Sequence, residues 1–209
     1  TGDNNSIIGK NAGYCGASGN DNFIAGSCVG YSGVISGSNN SIIGYRAGLC
    51  GVFGGDSFIG GVCAGGNWQS GRTGVCNTIL GNSAGYCGIS GNNNFIGGSN
   101  AGLCGGSGDY NSIIGHCAGY CGVTGSSNNI MGLLIGWCGP ISGSKNTILG
   151  SNAGEFGVSG SCNSIIGVGA GYHGVYGSEN FIAGTCAGGN WQSGMTGAST
   201  TIIGTFAGY

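Results

Sequence analysis

Asn111-Ser112-Ile113-Ile114-Gly115-His116-Cys117-Ala118-Gly119 is a stretch whose near-copies run along the whole chain, as in Asn5 to Gly13. With the glycine after the apolar pair as reference, the copies fall at Gly9, Gly26, Gly44, Gly61, Gly81, Gly98, Gly115, Gly132, Gly150, Gly167, Gly184 and Gly204. The step from Gly9 to Gly26 is the usual one, and the Gly26 and Gly132 copies are longer by a single position. Only the steps from Gly61 to Gly81 and from Gly184 to Gly204 are longer still. Isoleucine stands two positions before the reference glycine in all twelve copies, and a second glycine stands four after it. Asparagine lies four before it in ten of twelve, the exceptions being Ser57 and Thr200. So regular a period is the signature of a repeat architecture.

The unit is too short for two helices and a turn, and its glycine content weakens helices. Each copy holds one short β-branched stretch followed by a Gly/Ser-rich bend, which suits a single solenoid coil with glycine supplying positive φ. The reading is therefore an all-β solenoid, a parallel β-helix or β-roll of twelve rungs forming one array over residues 1–209, with longer rungs at 61–80 and 184–203. Rungs about 4.8 Å apart make a rod of about 58 Å. A second apolar column, eight positions after the reference glycine, is expected to close the coil: Val34, Val52, Ile89, Val123, Val158 and Val175.

Composition removes other classes. Glycine is 54 of 209 residues, yet a single proline and the absence of a Gly-X-Y period exclude collagen. Four Lys/Arg and a net charge of −2 leave nothing to neutralise a phosphate backbone, so no nucleic-acid partner is expected. Apolar runs are too short for a transmembrane helix, and no membrane insertion is expected. His116 and His173 fall in different columns and six carboxylates are scattered, so neither catalysis nor a metal or cofactor is expected. The short Gly/Asp-rich repeat of calcium-binding β-rolls is missing.

The positions one and three before the reference glycine share a strand face opposite the isoleucines. Phenylalanine at the first of these accompanies a small residue at the second: Phe23 with Ala25, Phe58 with Gly60, Phe95 with Gly97, Phe181 with Ala183. Ser, Thr or Asn at the first accompanies a large residue: Ile8, Ile43, Leu80, Ile114, Met131, Leu149, Ile166 and Ile203. Constant volume is what close packing demands. The face is thus expected to be covered, either by a neighbouring chain or by another wall of a wide coil.

The Asn-Ser-Ile-Ile-Gly-x-x-Ala-Gly stretch resembles the repeats of trimeric autotransporter adhesin heads and, more closely, those of phage and giant-virus tail-fibre proteins. That resemblance implies a homotrimeric shaft displaying a receptor-binding tip. It also implies a structural role at a cell or virion surface. The cysteine content departs from that pattern. Competing readings are an ice-binding solenoid and a ligand-free filament. The Ser/Thr column three before the reference glycine is broken by four phenylalanines, which removes the flat lattice that ice binding needs.

Twelve cysteines suggest an oxidising, extracellular setting. Cys87, Cys104, Cys121 and Cys138 stand on four consecutive rungs, so Cys87–Cys104 and Cys121–Cys138 are candidate staples, the alternative being a ladder of thiols. The two long rungs are near-copies of each other, since most positions of 55–74 are matched in 178–197. They present Asn67, Trp68 and Gln69, and Asn190, Trp191 and Gln192, as a candidate glycan contact or as a cap over the solenoid flank. Neither terminus carries a cap of its own, so the array is expected to be a segment of a longer one or to stack end to end, beside the lateral self-association expected of the outer face.

Overall fold

The computed structural model describes residues 2–66, 74–189 and 194–208. Twelve short strands, from β1 (Ser6–Ile8) to β12 (Thr201–Ile203), form one sheet in strict chain order. All the pairings are parallel, and each sets isoleucine against isoleucine, as in Ile7↔Ile24 and Ile96↔Ile113. The described strands mark about eleven turns of a solenoid, and no helix occurs among the described residues.

Alternation within each strand turns the central isoleucine inward. From Ile24 to Ile182 this column is at most 3% exposed. Two further columns complete the core. One lies three positions after the reference glycine and is mostly alanine, such as Ala47, Ala101 and Ala153. The other forms a second parallel ladder of single bridges through Ile89, Gly106, Val123, Ile141, Val158 and Val175. Where all three columns are described, a coil has a small core filled by one isoleucine, one residue of the mostly alanine column and one residue of the second ladder.

Here the second apolar column needs a correction. Val34 faces solvent, and Ile35 takes the core position, bridging Ala17 and Val52. The Gly26 coil is longer than the usual rung by a single position, and the extra residue lies before the second ladder, which moves the inward position on. The other coil lengthened in this way, at Gly132, behaves alike: Pro140 is passed over and Ile141 is buried. Both lengthened coils also replace the usual alanine with a larger residue, Val29 and Ile135. The added backbone widens the coil, and larger side chains restore close packing.

Two glycine columns set the rung spacing. At the reference glycine φ is strongly positive, for example +128° at Gly9 and +136° at Gly150, a region closed to other residues. Seven positions earlier stands another glycine in all twelve copies, running from Gly2 to Gly197. There φ is ordinary, and the constraint is contact: a Cβ on Gly108 or Gly125 would overlap the carbonyl oxygen of the next coil's glycine. Two further positions, five before and two after the reference glycine, hold non-glycine residues, Gly169 apart, at φ between 52° and 62°. Asparagine, which tolerates this region, is frequent there, as at Asn4, Asn11 and Asn93.

The asparagine column is a buried hydrogen-bond ladder. The amide N–H of Asn111 donates to Oδ1 of Asn94 at 2.8 Å, and that of Asn128 donates to Oδ1 of Asn111 at 2.9 Å. Ser57 and Thr200 keep the ladder unbroken, since the N–H of Asn77 donates to Oγ of Ser57 and that of Thr200 to Oδ1 of Asn180. Side-chain amides also tie the bend back, as when Nδ2 of Asn163 donates to the Gly177 carbonyl at 3.0 Å. Nearly all the buried polar groups of this ladder are thus satisfied where the bend leaves the sheet, Nδ2 of Asn94 being the exception among the described asparagines. A second, more exposed ladder two positions earlier runs in the opposite sense: the Ser126 N–H donates to Oγ of Ser144 in the following coil.

Candidate interaction surface

The outer face of the sheet is built from the two residues flanking each buried isoleucine. Both point away from the core, so the expectation that another wall of the same coil covers them is overturned: each coil closes on its isoleucine side alone. Phe23, Phe58, Phe95 and Phe181 are all exposed, as are Ile8, Ile43, Leu80, Met131, Ile166 and Ile203. Ile114 and Leu149 are half-buried.

The pairing of large with small has a direct geometric cause within one strand. A Cβ placed on Gly97 would lie 3.2 Å from Cε1 of Phe95, and one on Gly60 would lie 3.4 Å from Cε1 of Phe58. The phenylalanine ring therefore leans along its own strand over the position that elsewhere holds Ile, Leu or Met. Register places these rungs beside their opposites: Phe95 pairs with Thr78 and Ser112, and Gly97 with Leu80 and Ile114. Apolar bulk is thus delivered at the same place on every rung from either of two sequence positions. The result is an even apolar stripe with no charged residue at any of its positions.

The flank after the second glycine carries aromatic and thiol side chains. Tyr14 stacks on Tyr31 at 5.1 Å, Tyr120 meets Trp137 at 4.2 Å, and Phe156 stacks on His173 at 5.2 Å. All twelve cysteines are thiols, so the expected Cys87–Cys104 and Cys121–Cys138 staples are not formed in this structure. Loss of hydration pushes the Cys87 and Cys121 thiols up, and the charge each would meet at Cys104 adds to it. Cys138 is raised for the same first reason, and then by the charge of the neighbouring Glu155. Tyr172 is raised by loss of hydration and by Glu155 in turn.

Groups for other chemistry stay apart. His116 directly follows its reference glycine, with Nε2 3.8 Å from Sγ of Cys117, whereas His173 sits on the aromatic flank. Among the described residues no group of three or more His, Cys, Asp or Glu side chains is placed to hold a metal ion. Nor is any helix of the described residues long and apolar enough to cross a membrane. The candidate glycan contacts Asn67, Trp68, Gln69, Asn190, Trp191 and Gln192 lie outside the described residues.

Sequence reasoning identified the stripe and the thiol column but missed the second glycine column, seven positions before the reference, and the role of the asparagines. Both signals were in the repeat, the glycine in all twelve copies and the asparagine in ten. No protein-family model, no curated protein and no solved structure matches this chain.

Proposed function

We propose that the chain is a structural fibre segment that associates with further copies of itself through the apolar stripe on its outer sheet face. The observation that carries this reading is the compensation between paired positions, which holds the relief of an exposed face constant over twelve rungs. Scattered exposed apolar residues need no explanation, but a contiguous and even patch does. Short strands give a width of about 10 Å, and twelve rungs a length of about 58 Å, so each copy offers about 600 Å² in projection. Two such faces bury about 1,200 Å² together, at the lower end of specific interfaces. The absence of charge favours an identical apolar face over a charged partner. A trimer with these faces turned to a common axis is the form that the resemblance to tail-fibre and adhesin repeats implies. An extracellular or virion-surface shaft is the setting that goes with it.

The test is sedimentation equilibrium of the wild type beside a double variant, Ile43→Glu with Leu80→Glu, both on the outer face. The wild type is expected to sediment as an oligomer and the variant as a monomer with an unchanged circular dichroism spectrum. A wild type that stays monomeric at high concentration overturns the proposal.

A further inference from the structure

Cys87, Cys104, Cys121 and Cys138 form the one run of cysteines on consecutive rungs, each six positions after its reference glycine. Elsewhere the same column holds Cys15 and Cys50 with no cysteine at the same position of a neighbouring rung, and the other two cysteine columns have none adjacent. In the run, backbone bonds hold two successive steps in ladder register. The Cys87 N–H donates to the Leu103 carbonyl at 2.9 Å, and the Cys104 N–H to the Tyr120 carbonyl at 3.0 Å. The next step slips, with the Cys121 N–H donating to Gly136 rather than to the residue before Cys138. Cys87 and Cys104 are exposed, Cys121 is half-buried, and all three line one shallow depression on the flank.

Spacing decides what such a rail accepts. In-register stacking keeps equivalent Cβ atoms about 4.8 Å apart. A disulfide needs Cβ atoms about 3.5–4.5 Å apart. Oxidation would therefore draw two rungs together against the backbone bonds that separate them. With the zinc–thiolate bond of about 2.3 Å as a guide to metal–thiolate lengths, a cation held end-on between two thiolates spans about 4.6 Å between sulfurs, close to the rung spacing. Soft thiolate pairs select soft monovalent cations such as Cu(I).

We propose that Cys104, together with the in-register thiol of Cys87 or Cys121, forms a two-coordinate site for a soft monovalent d¹⁰ cation. Binding replaces two S–H bonds with two metal–sulfur bonds and releases two protons: M⁺ + 2 RSH → [RS–M–SR]⁻ + 2 H⁺. No electron is transferred and no oxidant is needed. Two-coordinate binding needs only a pair of ligands, which is why a site can exist where no three-ligand cluster does. Sequence spacing concealed it, because the ligands lie a whole repeat apart in the chain and one rung apart in space.

The probe is silver(I) alone, redox-inert, added to the reduced protein under anaerobic conditions with a competing thiol. Native mass spectrometry is expected to show one tightly retained silver ion in the wild type. Cys104→Ser is expected to weaken retention by at least about 100-fold, the loss of a direct ligand exceeding the effect typical of an outer-shell partner. Cys50→Ser and Cys138→Ser are expected to leave it unchanged. Alkylation of the wild type supplies a readout that needs no variant: silver should protect Cys104 and one neighbour while Cys50 still reacts. Equal losses in Cys50→Ser and Cys104→Ser, uniform alkylation, or a Cys87–Cys104 disulfide formed in oxidised glutathione in preference to silver retention would each overturn the site.

Discussion

The two faces of each short strand obey different rules. On the inner face a single residue type, isoleucine, occupies every rung, and its neighbours above and below are the same atoms in the same place. On the outer face neither position is constant, yet the pair is. The inner column must fit a closed space, which constrains each site by itself. The outer pair must only deliver the same bulk to the same spot, and a phenylalanine leaning from one position does so as well as an isoleucine rising from the other. Close packing inside is thus written in sequence as identity, and evenness outside as covariation.

Substitutions can break or sharpen this contrast. Ile130→Ala removes one member of the inner ladder, and a loss of about 2–5 kcal/mol in chemical denaturation is expected. Asn111→Ala leaves the buried Asn128 N–H without its acceptor, for an expected loss of about 1–3 kcal/mol. On the outer face Gly97→Leu alone forces the new side chain against the Phe95 ring, and overpacking should cost about 1–2 kcal/mol. Combining it with Phe95→Thr converts the rung to the pattern of Thr78 and Leu80, and most of the loss should be recovered. A double-mutant cycle measures that coupling, and strict additivity would show that the two positions do not share one space.

The smallest expected effect is alkaline. Cys87, Cys121 and Cys138 hold their protons more tightly folded than unfolded, so the folded chain binds more protons once pH exceeds the ordinary thiol value of about 8.5. Stability is then expected to be full below that value and to decline gently above it. Glu155→Gln should lower the Cys138 thiol towards its ordinary range, since the carboxylate is one of its raising influences. Thiolate ultraviolet absorbance against pH reads this directly.

Much of this architecture is legible in the chain because a solenoid converts sequence columns into spatial columns. Ile24 and Ile42 are neighbours in the ladder for the same reason that they align in the repeat. Legibility fails where counting from one glycine does not say where an extra residue is absorbed. Val34 and Ile35 cannot be told apart by type, and only the path of the bend selects Ile35. It also fails for contacts with no side chain: Gly108 is required by the carbonyl of the next coil, a constraint that hydrophobic patterning does not contain. The stripe was legible as a pattern, but its outward direction required the closed coil, and the thiol rail needed the register of individual backbone bonds.

The extra residues of the Gly26 and Gly132 coils are taken up in the bend, and the strands on either side keep their pairing. Each coil is therefore a self-contained notch. Adding or deleting one whole repeat changes the reach of the rod by about 4.8 Å and leaves the inner ladder continuous, because the rungs on both sides of the cut present the same isoleucine. The molecule has the property of a ruler whose divisions can be copied or erased singly. Reach can be set by recombination between near-identical stretches, without any new packing problem to solve.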